Sequence, residues 1–301
     1  MGMPLAVFGT ADTIEAIADD VAAAAALGFG SYWTPQIFGP DALTALTLAS
    51  ARTPDIRLGT AVVPVQPRHP MALAQQALTV NQVAAGRLDL GIGLSHQPVV
   101  EGMWGISFDR PVRYMSDYLA VLMPLLHGEK VSHGGEKVTG RGEIRVRAEA
   151  PPVYVAALGE QMLKLAGRRA DGTITWMTGP ATIADLTVPT ITEAAGSAGR
   201  PAPRIIAAVP VCLAGDQAEI GALHRRAAEE YVVYGQLPSY RAMLDHEGLD
   251  GPADLALIGS IDRIAEGLGR FVDAGATTVV VNTFGAPDQQ AATRKAVAGL
   301  L

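Results

Sequence analysis

VYVAALGEQMLKLAGRRADGTITWMTGP, residues 153–180, is the stretch that decides the fold. Its first apolar run, Val153–Ala157, ends at Leu158-Gly159. Met162, Leu165 and Ala166 then share one face of a helix, and Ala170-Asp171-Gly172 turns the chain into a second apolar run, Thr173–Met177. The pattern is strand–helix–strand with a glycine where the first strand meets its helix. Such a junction points unpaired backbone N–H groups and the positive end of a helix dipole outward, which suits an anion such as a phosphate. Many α/β proteins contain one junction of this kind. Here the rest of the chain repeats the alternation.

Upstream, Pro4–Phe8, Phe29–Trp33, Ile56–Val63 and Leu88–Ile92 read as strands, and downstream so do Ile205–Leu213 and Thr278–Val281. Amphipathic helices separate most of them, for example one with Ile261, Ala265, Leu268 and Val272 on a single face behind the cap Ser260. The strands are continuous apolar runs, as a parallel sheet buried on both faces requires. Eight such strands predict an α/β protein of the (β/α)8 TIM-barrel type, one domain over residues 1–301. A doubly wound sheet fits less well, because the alternation does not split into two nucleotide-binding halves. A barrel of this kind needs about 250 residues. The surplus is read as two insertions, about 129–148 after strand four and 235–257 after strand seven.

The chain is 49% hydrophobic, enough for a large core. A net charge of −7 and the lack of a basic run argue against nucleic acid as a partner. Cys212 is the single cysteine, so no intrachain disulfide is possible, and the chain reads as cytoplasmic. No apolar run reaches the length of a membrane span. No His/Cys/Asp/Glu spacing suits zinc and no nucleophile elbow is present, so no metal is expected.

In a barrel, chemistry sits at the C-terminal ends of the strands. That places Trp33 and Gln36, Gly93, Ser95 and His96, Gly159, Glu160 and Gln161, and Trp176, Thr178 and Gly179 around one mouth. His96 is the residue there suited to acid–base work near neutral pH. The bland alternative is a loop histidine bonded to backbone; its place after Gly93 and Ser95 favours chemistry. Arg68-His69-Pro70 reads as the start of a helix, with Pro70 in the first turn. Trp33 and Trp176 offer walls for a flat ligand, Trp104 a lid over it, although each also suits simple packing. Gly91-Ile92-Gly93 lacks the third glycine of a dinucleotide fingerprint and reads as a tight turn that lets a planar ligand approach the backbone.

Taken in order, several segments resemble the luciferase-like monooxygenase superfamily, in particular its coenzyme F420-dependent oxidoreductases. They are Ser31-Tyr-Trp-Thr-Pro-Gln-Ile-Phe38 with Asp41-Ala-Leu-Thr-Ala-Leu46, Leu58-Gly-Thr-Ala-Val-Val63 with Arg68-His-Pro70, Gly86-Arg-Leu-Asp-Leu-Gly-Ile-Gly93, Ala156-Ala-Leu-Gly159, Ala170-Asp-Gly172 and Val272-Asp-Ala-Gly-Ala276. Each is loose; their joint order spans almost the whole chain. The resemblance implies a barrel with F420, or alternatively FMN, at the mouth. The tricyclic ring would lean on a bulge at Ala61-Val62, often a non-prolyl cis peptide, and the phosphate would sit near Ala157, Gly159, Glu160 and Gln161, with Thr178 and Gly179 beside it. It further implies hydride transfer to or from a small, mainly apolar substrate, with His96 moving a proton where related sugar-phosphate dehydrogenases carry a glutamate. Those relatives also carry a lysine after strand six, where this chain has Pro180, so a sugar phosphate is disfavoured. A homodimer is expected from the resemblance. The alternatives are an FMN-dependent monooxygenase, a barrel that stores F420 without turnover, and a barrel that has lost its cofactor.

Overall fold

The computed structural model describes residues 2–301. Eight strands build the barrel: β1 (Leu5–Phe8), β2 (Ser31–Thr34), β3 (Arg57–Thr60), β4 (Leu88–Gly93), β5 (Val153–Ala156), β6 (Gly172–Trp176), β7 (Arg204–Leu213) and β8 (Thr278–Thr283). All pairings among them are parallel and follow chain order. Closure is the parallel pairing of the last strand with the first, β8 with β1, where Leu5 lies opposite Val279 and Val7 opposite Val281; β7 meanwhile pairs with β6 and β8 on its two sides. The expected (β/α)8 barrel is therefore the observed fold.

The run read as one strand over Ile56–Val63 is two. β3 stops at Thr60, and a separate two-residue strand, Val63–Pro64, pairs with Ile92 and Gly93 of β4. Between them the Ala61–Val62 peptide is cis. Ala61, whose N–H still donates to the Thr34 carbonyl of β2 at 2.8 Å, and Val62 lie at this break on the mouth of the barrel.

The helices pack outside. The helix Pro70–Val83 starts on His69, whose Nδ1 accepts from the Met71 N–H at 3.3 Å. Residues 131–134 and 139–142 form an antiparallel hairpin. Beyond β7 and its helix Gln217–Glu230, the insertion expected over 235–257 starts earlier, at residue 231, and builds helices Val232–Gln236 and Pro238–Glu247 before the short strand Leu257–Gly259 pairs with Val211–Leu213 at the end of β7. Cys212 is buried in β7.

Inside the barrel, Ala6, Trp33, Tyr154, Ile174, Ile206 and Val280 form a small separate core. Trp33 is fully buried there and meets Tyr154 edge to face at 5.9 Å. The expectation that Trp33 walls a ligand is thus overturned: it fills the barrel beneath the mouth. Gly59 makes room for it, since a Cβ at that position would lie 2.2 Å from the indole ring. Below this layer Asp89 accepts two hydrogen bonds from Arg57, at 2.8 and 3.0 Å, and one from the Tyr154 hydroxyl at 3.2 Å. Arg204 donates to the same hydroxyl at 2.8 Å. Paired in this way, the buried carboxylate closes the floor of the barrel without an isolated charge.

Candidate active site

The C-terminal ends of the strands surround a cavity of about 680 Å³. Its floor is the upper layer of the barrel interior: Phe8, Ala61, Val62, Ala156 and Trp176, with Phe8 and Trp176 stacked at 6.4 Å and 18°. Gly93 lies against Val62 so closely that a Cβ there would come within 2.7 Å of it. Glycine at 93 therefore lets the shelf of Ala61 and Val62 pack flat on β4. Next to it Ser95 takes a left-handed φ of 57°, which bends the chain back and sets His96 on the rim.

His96 lines the cavity under two rings of the post-β7 insertion, Tyr240 at 5.9 Å and Tyr234 at 6.4 Å, both edge-on. Burial holds the imidazole below the ordinary histidine pKa, so the ring is neutral at pH 7. The tyrosines beside it are likewise pushed up by burial and stay protonated. Tyr231 completes this cover, edge-on to Trp176 at 5.7 Å.

Of the residues expected at the mouth, Gln36, Ser95, Trp104, Ala157 and Gly159 also line the cavity. Gln36 is tied down, because its Oε1 accepts from the Ala42 N–H at 2.7 Å and holds the start of the helix Ala42–Arg52. Gly159 precedes the helix Glu160–Arg169, and no side chain caps that helix. Space is open around Gly159, with nothing within 4 Å of where a Cβ would sit. The amides at Glu160 and Gln161 thus face an unfilled helix start, a fit for a phosphate. Neither side chain reaches the cavity, and the Glu160 carboxylate pairs instead with Lys164.

Thr178 and Gly179, expected beside the phosphate, do not line the cavity. Thr178 is buried, its hydroxyl donating to the Trp176 carbonyl at 3.3 Å. The helix start after Gly179 already holds an anion of the protein's own: the Glu247 carboxylate accepts from the Ala181 N–H at 3.3 Å and the Thr182 N–H at 2.5 Å. A side chain at Gly179 would collide with it. Glu247 ends the helix Pro238–Glu247, which carries Tyr240, so this contact straps the cover to the barrel. Replacing Glu247 by Ala should cost about 1 kcal/mol locally, as removal of a helix cap does. Amide exchange at Ala181 and Thr182 would then rise roughly fivefold. Glu247→Gln retains an acceptor and should largely keep the protection; equal exchange in both variants and the parent would show that the contact holds nothing.

The tyrosines of the cover escape the strand-end rule because an insertion brings them there. Their signal in the sequence is Tyr231-x-x-Tyr234 followed by Tyr240, in a chain with 7 tyrosines. Phe8 and Asn282 follow from the rule itself, as β1 and β8 residues at the mouth. A second depression, about 630 Å³, lies between residues 126–128 and 143–150, at the C-terminal end of a helix that runs back along the barrel and therefore at the opposite end. Among the described residues no group of His, Cys, Asp and Glu could hold a metal ion, and no helix is long and apolar enough to cross a membrane.

The sequence matches the luciferase-like monooxygenase family over residues 4–278. The chain belongs to that family. It is 29% identical over 287 residues to a 5,10-methylenetetrahydromethanopterin reductase of Methanolobus tindarius, covering 93% of this chain and 86% of the relative. The fold superposes with a TM-score of 0.84 on an F420-dependent secondary alcohol dehydrogenase solved with an F420–acetone adduct, at 18% identity, covering 100% of this chain and 98% of the other. The oxygenating constituent of 3,6-diketocamphane monooxygenase from Pseudomonas putida, solved with FMN, gives 0.80 at 18% identity over 98% and 96% of the two chains. At such identities the structural likeness speaks for the fold.

Proposed function

We propose that this luciferase-like barrel is an F420-dependent oxidoreductase that moves a hydride between the deazaflavin and a mainly apolar organic substrate. The observation that carries the reading is the join of a flat shelf, Ala61 and Val62 over Gly93, to an uncapped helix start at Gly159 within one cavity. The first suits a planar ring, and the second suits a phosphate at the end of its side chain. Similarity over 57% of the chain, at 32% identity, to a putative coenzyme F420-dependent oxidoreductase of Mycobacterium tuberculosis supports F420 over FMN.

When bound, F420 supplies hydride chemistry with little reactivity toward oxygen. The protein's part is placement and proton handling. Trp176 and Phe8 bound the space beside the shelf, and the insertion tyrosines exclude water above it. His96, uncharged and at the edge of the same space, takes up or returns a substrate proton at a ring nitrogen.

The test is direct binding of each cofactor to purified protein, followed by its intrinsic fluorescence. F420 is expected to bind and FMN to bind far more weakly. Tight FMN binding without F420 binding would move the assignment to a flavin monooxygenase, for which the FMN-bound neighbour is the precedent. F420 binding with no redox change across a panel of alcohols and ketones would instead leave a cofactor carrier.

A further inference from the structure

Among the described residues, seven large apolar side chains are exposed. Three of them, Ile37 at 61%, Phe38 at 64% and Val233 at 51%, line the mouth of this one cavity. They come from unrelated parts of the chain, the loop after β2 and the insertion after β7. Val232 and Met103, also exposed, adjoin Val233 and the lining residue Trp104 in sequence. Exposed apolar groups that gather at a cavity opening mark a recognition surface.

The charges narrow what is recognised. No Lys or Arg lines the cavity, and Glu230 is the one carboxylate that does. The one feature there that suits an anion, the helix start at Gly159, is the place read above for the cofactor phosphate; elsewhere in the cavity an anionic head group would find no cation and would meet a like charge at Glu230. Three side chains also fall well short of the roughly 800 Å² per partner that a stable dimer buries. A protein seated there would block access to His96. A net charge of −7, with no Lys or Arg at the rim, disfavours docking on an anionic lipid surface.

We propose that the substrate is an uncharged lipophilic molecule whose reacting end enters the cavity while its apolar body extends over the rim of Ile37, Phe38 and Val233. This rests on the oxidoreductase reading for the reacting end, but the rim itself is a binding feature and can be tested without turnover. The probes are straight-chain methyl ketones from 2-butanone to 2-dodecanone, with binding read from quenching of tryptophan fluorescence, since Trp104 and Trp176 line the cavity. Each added methylene should tighten binding about fourfold, continuing through the longer ketones. In Phe38→Ser and in Val233→Ser, two independent surface changes, the gain between short and long ketones should shrink by tenfold or more.

The proposal is overturned if both variants follow the parent curve, or if affinity stops rising before the variants differ. It is also overturned if sedimentation shows a dimer that Phe38→Ser abolishes, or if the protein sediments with phosphatidylcholine vesicles in a Phe38-dependent way. Cofactor binding, measured separately, keeps the two readings apart. Chain-length dependence without F420 binding would retain the lipophilic rim and discard the oxidoreductase. F420 binding without chain-length dependence would do the reverse.

Discussion

Replacing His96 by Ala should lower turnover by about 10²–10⁴-fold, the range typical for loss of a general acid or base, while F420 affinity stays nearly intact. The split follows from the geometry. His96 stands at the rim beneath Tyr234 and Tyr240, whereas the shelf and the helix start that suit the cofactor belong to Ala61, Val62 and Gly159. A His96→Gln variant fills similar space and keeps hydrogen bonding but cannot titrate; it should be as impaired as the alanine variant. Unchanged turnover in either would remove His96 from the chemistry.

The pH dependence carries a definite sign. Burial lowers the His96 pKa, so the neutral, proton-accepting ring persists as pH falls through the ordinary histidine value near 6.5. In the alcohol-oxidising direction kcat/KM should hold through that range and fall only below it. Thinning the cover with Tyr240→Ala admits water, raises the pKa toward its ordinary value and moves the acid limb upward. NMR titration of the imidazole reads the same shift without turnover. Stability follows the same linkage: the unfolded chain takes up this proton first, so the folded state loses stability as pH drops below about 6.5 and regains it above. An acid limb unmoved by Tyr240→Ala would show that the cover does not set the histidine's environment.

How far the sequence could be read depended on the range of the interaction involved. The barrel was legible because its evidence is local: apolar runs alternate with amphipathic helices, and several junctions are marked by glycine or a capping residue, as at Gly159 and Ser260. His96 was legible too, because a strand-end rule needs only the end of β4. The fate of Gly179 was not, because Glu247, 68 positions on, returns through an insertion to occupy the amides beside it. The Tyr234–Tyr240 cover lies in the same insertion and is placed by packing against Trp176 and His96. Sequence spacing holds no information about where such a segment lands. Trp33 failed for a subtler reason. It lies next to the last residue of β2, and whether a side chain there faces the mouth or the interior depends on strand stagger, which is a property of the closed barrel.

That placement couples Trp33 to Gly59. Trp33→Ala should cost about 3–5 kcal/mol of stability, the range for emptying a large aromatic site in a packed core. Gly59→Ala should be damaging from the other side. Its new Cβ would sit 2.2 Å from the indole, and the two strands that carry these residues are held in register, Trp33 opposite Gly59. Neither can move away without breaking the ladder, so overpacking of about 1–3 kcal/mol or more is expected. Combining Trp33→Leu with Gly59→Ala removes the clash and refills part of the space. Denaturant midpoints should therefore place the double variant above the sum of its parts by well over the roughly 0.5 kcal/mol within which independent sites add. Simple additivity would mean that the indole does not press on Gly59. A wall residue would behave differently again: Trp33→Leu would then alter substrate KM and leave the midpoint alone. With the ring fully buried and its edge against Tyr154, the stability effect is the expected one, and the substrate space above it is bounded by Phe8 and Trp176 instead.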